Sequence, residues 1–211
     1  MTPIRFYPPH ESGDCQINLT QDVIQRMHNG LFRCPLPAAA GLMPDLKVLF
    51  DNAPVFNPDE WEVDVKVHML MGGQYPCIPN WHCDNVPRGP DGKVDYHRTG
   101  DEWTIPMLLW VSDGPTTEFL CERLEGIDRE PEGHEGLAAL IRERNPATFQ
   151  VVPQRWYSMN QRTPHRGTQA QRAGWRVFVR LTHRSIAPDR PVLSFLRRHS
   201  QVYLDATHFS W

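Results

Sequence analysis

The histidines are the first residues to weigh for chemistry. There are ten of them, and only His82-Cys83-Asp84 forms an H-x-D. Side chains alternate along a strand, so at a strand end His82 and Asp84 share one face and Cys83 takes the other. An imidazole and a carboxylate presented together are suited to one metal ion. In isolation the same tripeptide reads equally as a surface histidine beside an aspartate. A second piece is His165 in TPHRG, 81 residues beyond Asp84 and on a different expected strand.

The third piece is GWRVFVRLTH, residues 174–183. Its odd positions, Trp175, Val177, Val179 and Leu181, make a core face. Its even positions are Arg176, Phe178, Arg180 and Thr182. Arginine is almost never fully buried without an anionic partner. This strand therefore calls for an internal carboxylate or a bound anion.

Other candidates read first as structure. His68 ends the polar face of a strand and is expected to be solvated. His97 and Asp101 fall in a polar loop. Trp81, Trp103 and Tyr75 flank the H-x-D, and core packing is the first reading of both tryptophans. Cys83 should face away from a metal, and Trp156 or Tyr157 should lie in the core. Arg197, Arg198 and His199 read as a solvated helix face.

The elements that must hold these residues are short. With 20 Pro and 14 Gly in 211 residues, long helices have little room, and strands joined by turns fit better. Residues 1–60 read as a helical lead-in. Thr20 is expected to cap a helix carrying Val23, Ile24, Met27 and Leu31, and Pro44 to start another with Leu46, Leu49 and Phe50 inward. In WEVDVKVHMLM, from Trp61, apolar residues alternate with Glu62, Asp64, Lys66 and His68, which predicts a strand with one buried face. Residues 85–102 read as a surface loop of lid length.

WTIPMLLWVS (103–112) is apolar on both faces and reads as a central strand, with Pro106 marking a bulge or edge. TTEFL (116–120) follows as a strand, then a charged insertion, then a helix with Leu137, Leu140 and Ile141 inward, stopped at Asn145-Pro146. Strands at 148–152, 155–160, 163–167 and 174–183 complete a set of about eight from residue 61. That number suits a jelly roll or double-stranded β-helix. The fold expectation is one domain over 1–211, mainly β with flanking helices, its core at 61–183 and an appendage at 184–211.

Composition removes several function classes. The net charge of −3 argues against a chain built to coat nucleic acid. Five cysteines without a CxxC pair argue against a disulfide framework or a cysteine zinc site. No apolar run approaches a membrane span, and MTPIRFYPPH lacks a secretory apolar region. The chain reads as cytoplasmic. The apolar tail, with Val192, Leu193, Phe195, Leu196, Val202, Tyr203 and Leu204, must dock on its own core or on a second subunit.

Taken together, His82-x-Asp84, His165 and Arg176 eleven residues later resemble the H-x-D…H…R pattern of Fe(II)/2-oxoglutarate-dependent dioxygenases. The resemblance covers residues 62 to about 183. In that family the fold is a double-stranded β-helix, the H-x-D follows the second core strand, the second His lies on the seventh and the Arg on the eighth. It implies that His82, Asp84 and His165 ligate Fe(II) and that Arg176 holds the distal carboxylate of 2-oxoglutarate. Oxidative decarboxylation to succinate and CO2 would accompany oxidation, most simply hydroxylation, of a substrate. Thr117 resembles the Thr of a T-x-F motif that touches the co-substrate in one branch. Arg180, on the same face as Arg176, is expected either to hold a second anionic group or to pair with a structural carboxylate. A small-molecule substrate is expected first, with a nucleobase or a protein side chain as other classes. Two rivals stand beside this reading: a cupin-like metal protein without 2-oxoglutarate, and a non-enzymatic β-sandwich module.

Overall fold

The computed structural model describes residues 4–27, 29–99, 107–127, 129–186, 195–197 and 200–204. In chain order the strands are β1 (Ile4–Phe6), β2 (His10–Asp14), β3 (Gly30–Phe32), β4 (Cys34–Pro35), β5 (Trp61–Leu70), β6 (Met107–Val111), β7 (Thr117–Leu120), β8 (Leu124–Ile127), β9 (Thr148–Gln150), β10 (Arg155–Met159), β11 (His165–Gly167), β12 (Gly174–His183) and β13 (Phe195–Arg197). The helices are α1 (Gln21–Met27), α2 (Leu36–Leu42), α3 (Lys47–Asp51) and α4 (Gly133–Arg144). The protein is mainly β, with antiparallel sheets and few helices. Among the described residues no helix is long and apolar enough to cross a membrane.

Two sheets matter for the site. The larger has the order β2-β10-β6-β12-β5-β4, and the smaller β11-β7-β9. The spine of the larger sheet is the β5–β12 pair, which runs in register from Trp61↔His183 to Leu70↔Gly174. Its odd-numbered face carries Val63, Val65, Val67, Val177, Val179 and Leu181, packed with Ile24, Leu46 and Leu49 of the lead-in. Each such aliphatic side chain, fully buried, stabilises by about 1.5–3 kcal/mol. Gly30 lets the lead-in pass close, because a Cβ there would overlap the Val65 carbonyl oxygen. On the other side the two sheets meet face to face over Leu109, Val111, Phe119, Tyr157 and Met159.

The lead-in departs from the helical expectation. Thr20 does cap α1, with its hydroxyl accepting from Val23 N at 3.3 Å. Yet β1 to β4 also lie in this segment, and three of them extend other strands: β1 joins β8, β2 joins β10 and β4 joins β5. Leu31 sits in β3, not on the α1 stripe. The charged insertion likewise holds a strand, β8. β6 is buried at every position, as a central strand must be, whereas Trp103 and Pro106 lie outside the described residues.

The larger correction concerns β5. Glu62, Asp64 and His68 are buried, not solvated, with His68 only 1% exposed. The alternation is real, but the polar face looks into the space between the sheets. At the tail, the expected helix face at 197–199 is replaced at residues 195–197 by β13, which pairs with β3. Arg198, His199, Val192 and Leu193 lie outside the described residues. Tyr203 docks on its own chain, exchanging backbone hydrogen bonds with Tyr75 at 2.8 and 3.0 Å.

Candidate metal centre

His82 and His165 are brought together by the backbone. His82 N donates to His165 O at 3.0 Å, and His165 N donates to His82 O at 2.9 Å. This isolated bridge adds residue 82 to the free edge of β11. The two rings then lie 4.4 Å apart between centroids. Both rings are oriented by their own chain segments: His82 Nδ1 lies 2.8 Å from Asn80 O, and His165 Nδ1 lies 3.0 Å from Thr163 O. A carbonyl oxygen only accepts, so each Nδ1 carries the proton and each Nε2 keeps a lone pair. Asp84 Oδ2 lies 3.5 Å from His165 Nε2. One donor atom each from His82, Asp84 and His165 falls within 4.8 Å of the others. Both histidines are buried and Asp84 is partly so.

The charge states suit ligation. Burial, then the neighbouring His165, pushes the His82 imidazole down to about 3, so it is neutral near pH 7. Burial works against the charge on Asp84, but the Arg180 guanidinium outweighs it and holds the carboxyl well below its usual range. Arg180 Nη1 donates to Asp84 Oδ2 at 2.5 Å, and its Nη2 donates to Asp64 Oδ2 at 2.6 Å. Asp64 Oδ1 accepts in turn from Arg33 N at 3.0 Å. Of the two roles open to Arg180, the structure displays the pairing with structural carboxylates. Its two terminal nitrogens are engaged, while its buried Nε meets no acceptor among the described residues.

Arg176 is different. It is 2% exposed, and its Nε and Nη2 reach no hydrogen-bond acceptor among the described residues. Burial lowers it to about 10, which leaves it charged at neutral pH. It also lines a wide cleft of about 960 Å³ with Gln150, Glu118 and Arg166. The smaller cavity at the triad, about 70 Å³, is lined by His82, Asp84, His165, Thr117, Lys66 and Arg180, among others. Thr117, 2% exposed, thus stands beside the triad.

Two residues at the site escaped the sequence reading. Lys66, on the supposedly solvated face of β5, reaches the cavity at the triad, and burial followed by Arg180 lowers its pKa. His134, in the first turn of α4, sets its ring edge-on to His82 at 5.9 Å, with a buried Nδ1 that has no partner among the described residues. Alternation did group Lys66 with Asp64 and His68; nothing local in the sequence marks His134. Among the weaker candidates, Trp81 is core and carries Arg166 over its ring at 4.8 Å. Cys83 packs away from the cavity, Trp156 and Tyr157 are both buried, and His97 faces Glu130 at 3.9 Å. Asp101 lies outside the described residues.

No protein-family model, no curated protein and no solved structure matches the chain.

Proposed function

We propose that this chain is an Fe(II)- and 2-oxoglutarate-dependent oxygenase, a hydroxylase acting on a small molecule in the cytoplasm. The observation that carries the reading is the triad itself: two imidazoles locked by backbone carbonyls with Nε2 free, and one ionised carboxylate, with their donor atoms within 4.8 Å of one another. Two nitrogens and one oxygen on one side of a cation match the donor set that leaves positions open on ferrous iron. The orphaned guanidinium of Arg176 supports the same reading, because a buried cation without a carboxylate is costly unless a ligand supplies one.

The strand arrangement supports a double-stranded β-helix. We read β5, β12, β6 and β10 as one core sheet. Residue 82 with β11, β7 and β9 forms the other, giving about eight core strands. The remaining strands are additions from the lead-in, insertion and tail.

His82 Nε2, His165 Nε2 and the Asp84 carboxylate would hold the metal, and Arg176 would receive the distal carboxylate of 2-oxoglutarate. When bound, iron and 2-oxoglutarate supply O2-dependent oxidation, with succinate and CO2 as co-products. The chain's own work is orientation. Asn80 and Thr163 carbonyls fix the imidazole tautomers, Arg180 fixes the carboxylate, and Thr117 presents a hydroxyl to the cavity. The two packed sheets bury both imidazoles, while Asp84 and Arg180 stay partly open to solvent.

The test is succinate formation from 2-oxoglutarate by purified protein with Fe(II) under air, compared with His82→Ala. The expected result is slow, uncoupled succinate production that the variant lacks. Stoichiometric metal binding with no use of 2-oxoglutarate would instead support a cupin-like metal protein. No metal binding would leave a structural module. A nucleobase or a protein side chain as substrate is separated from a small molecule by which compound accelerates succinate release.

A further inference from the structure

We infer that Tyr203 is the size-selecting residue of the triad cavity. It plugs the cavity from a surface strap, residues 200–204, and a chelating ligand larger than the plugged space reaches the metal by displacing it. The inference rests on the metal-site part of the proposed function and not on the identity of the co-substrate.

The plugged cavity is too small for such a ligand. Its volume is about 70 Å³. One water takes up roughly 30 Å³ of liquid, and a dry cavity of about 150 Å³ is one that accepts benzene. A ligand the size of azide fits the space; a ring carrying a carboxylate does not. Nearby, the wide cleft offers about 960 Å³. Tyr75 lines that cleft and Tyr203 lines the cavity. The two residues exchange backbone hydrogen bonds at 2.8 and 3.0 Å, so their bridge belongs to the wall between the two spaces.

The other walls are fixed by the sheets. Lys66, Phe178 and Arg180 lie on the β5–β12 ladder, Leu109 on β6, Thr117 on β7 and His165 on β11. Cys77 and Ile78 are wedged against Gly167: Gly167 N donates to Ile78 O at 2.8 Å, and no Cβ fits between Gly167 and Cys77. Tyr203 is held differently. Among the described residues, the strap pairs with the rest of the chain through one isolated bridge, beside a contact of the Gln201 backbone with the His68 ring. Gln201 and Leu204 are exposed, while Tyr203 is only 8% exposed. The strap is thus a surface segment with one inward side chain. A segment paired at one bridge opens locally at a smaller cost than a strand inside a ladder. The phenol of Tyr203 is larger than benzene, so withdrawing it frees the space that a chelating ligand needs and joins the cavity to the cleft. The competing explanation is that Tyr203 is permanent packing, as buried tyrosines ordinarily are.

The experiment is binding of azide and of picolinate, a bidentate chelator larger than benzene, to the full chain loaded with Co(II), followed by visible absorption in a stopped-flow. Wild type is compared with Tyr203→Ala, Tyr203→Phe and, on the exposed side of the strap, Leu204→Ala. Each variant is first checked for a wild-type circular dichroism spectrum. Tyr203→Ala is expected to bind picolinate about tenfold faster or more. Tyr203→Phe, Leu204→Ala and every azide rate should stay within about twofold of wild type. Hydrogen exchange of the wild type reads the strap itself. Picolinate should raise exchange at the Tyr75 and Tyr203 amides about tenfold or more, and azide should leave it unchanged. Three results overturn the inference and leave the metal site standing: equal protection of both amides with picolinate bound, the same picolinate rate in Tyr203→Ala, or refusal of picolinate by wild type and Tyr203→Ala alike. If wild type takes up no Co(II), the metal-site reading fails and the inference falls with it.

Discussion

Arg180 holds Asp84 with a 2.5 Å hydrogen bond between Nη1 and Oδ2, while its other terminal nitrogen is tied to Asp64. The carboxylate of the triad is thus positioned by a residue anchored in the β5–β12 sheet. Replacing Arg180 with Met frees Asp84 to rotate and strands Asp64. Metal affinity is expected to fall about tenfold to a hundredfold, with a stability loss of roughly 3 kcal/mol from breaking a largely buried ion pair. Equilibrium dialysis with Mn(II) and a urea titration check the two effects separately.

Under the proposed function, Arg176 trades stability for binding. Arg176→Met removes a buried guanidinium that no carboxylate balances. The metal-free variant should be about 1–2 kcal/mol more stable than wild type, while losing its ability to bind 2-oxoglutarate. Urea midpoints measured without ligand check the first effect. A stability loss in the variant would mean that Arg176 has a structural partner.

His68 predicts how stability depends on pH. Burial, then Arg176 and Lys66, lowers its folded pKa to about 2, against about 6.5 unfolded. Between these values the unfolded chain binds the extra proton, so stability rises with pH and is lost as pH falls through that window. From pH 7 to pH 5 this one group costs about 2 kcal/mol. His68→Leu should remove that share of the decline, as read from urea midpoints at the two pH values.

Gly167 permits the close approach of β11 to the Cys77 segment. A Cβ there would lie 2.8 Å from Cys77 O and 2.9 Å from Cys77 Sγ. Gly167→Ala should therefore push β11 outward, costing about 1–3 kcal/mol. Because His165 begins the same strand, metal affinity should fall too. Calorimetric melting and Mn(II) titration of the variant give both values.

Much of the site was legible because strands declare which residues share a face. The alternation over residues 174–183 matches the limits of β12, and its apolar odd face packs the core while Arg176 and Arg180 face inward. In β5 the alternation holds, but its polar face is buried and not solvated. A period of two reports that Asp64, Lys66 and His68 lie together, but not whether water or a polar cavity lies opposite. The strands of the lead-in are two to five residues long, too short to show a period, and they exist because a neighbouring strand pairs with them. His134 and Tyr203 reach the centre through packing of distant segments, for which no local pattern exists.

The central claim is that His82, Asp84 and His165 form a metal site that serves 2-oxoglutarate. Its most direct test is anaerobic calorimetry of 2-oxoglutarate binding with and without Mn(II), in wild type and in His82→Ala. The account predicts one 2-oxoglutarate per wild-type chain only when metal is present, and none in the variant, whose circular dichroism spectrum stays unchanged. Equal binding without metal, or undiminished metal-dependent binding in His82→Ala, would contradict it.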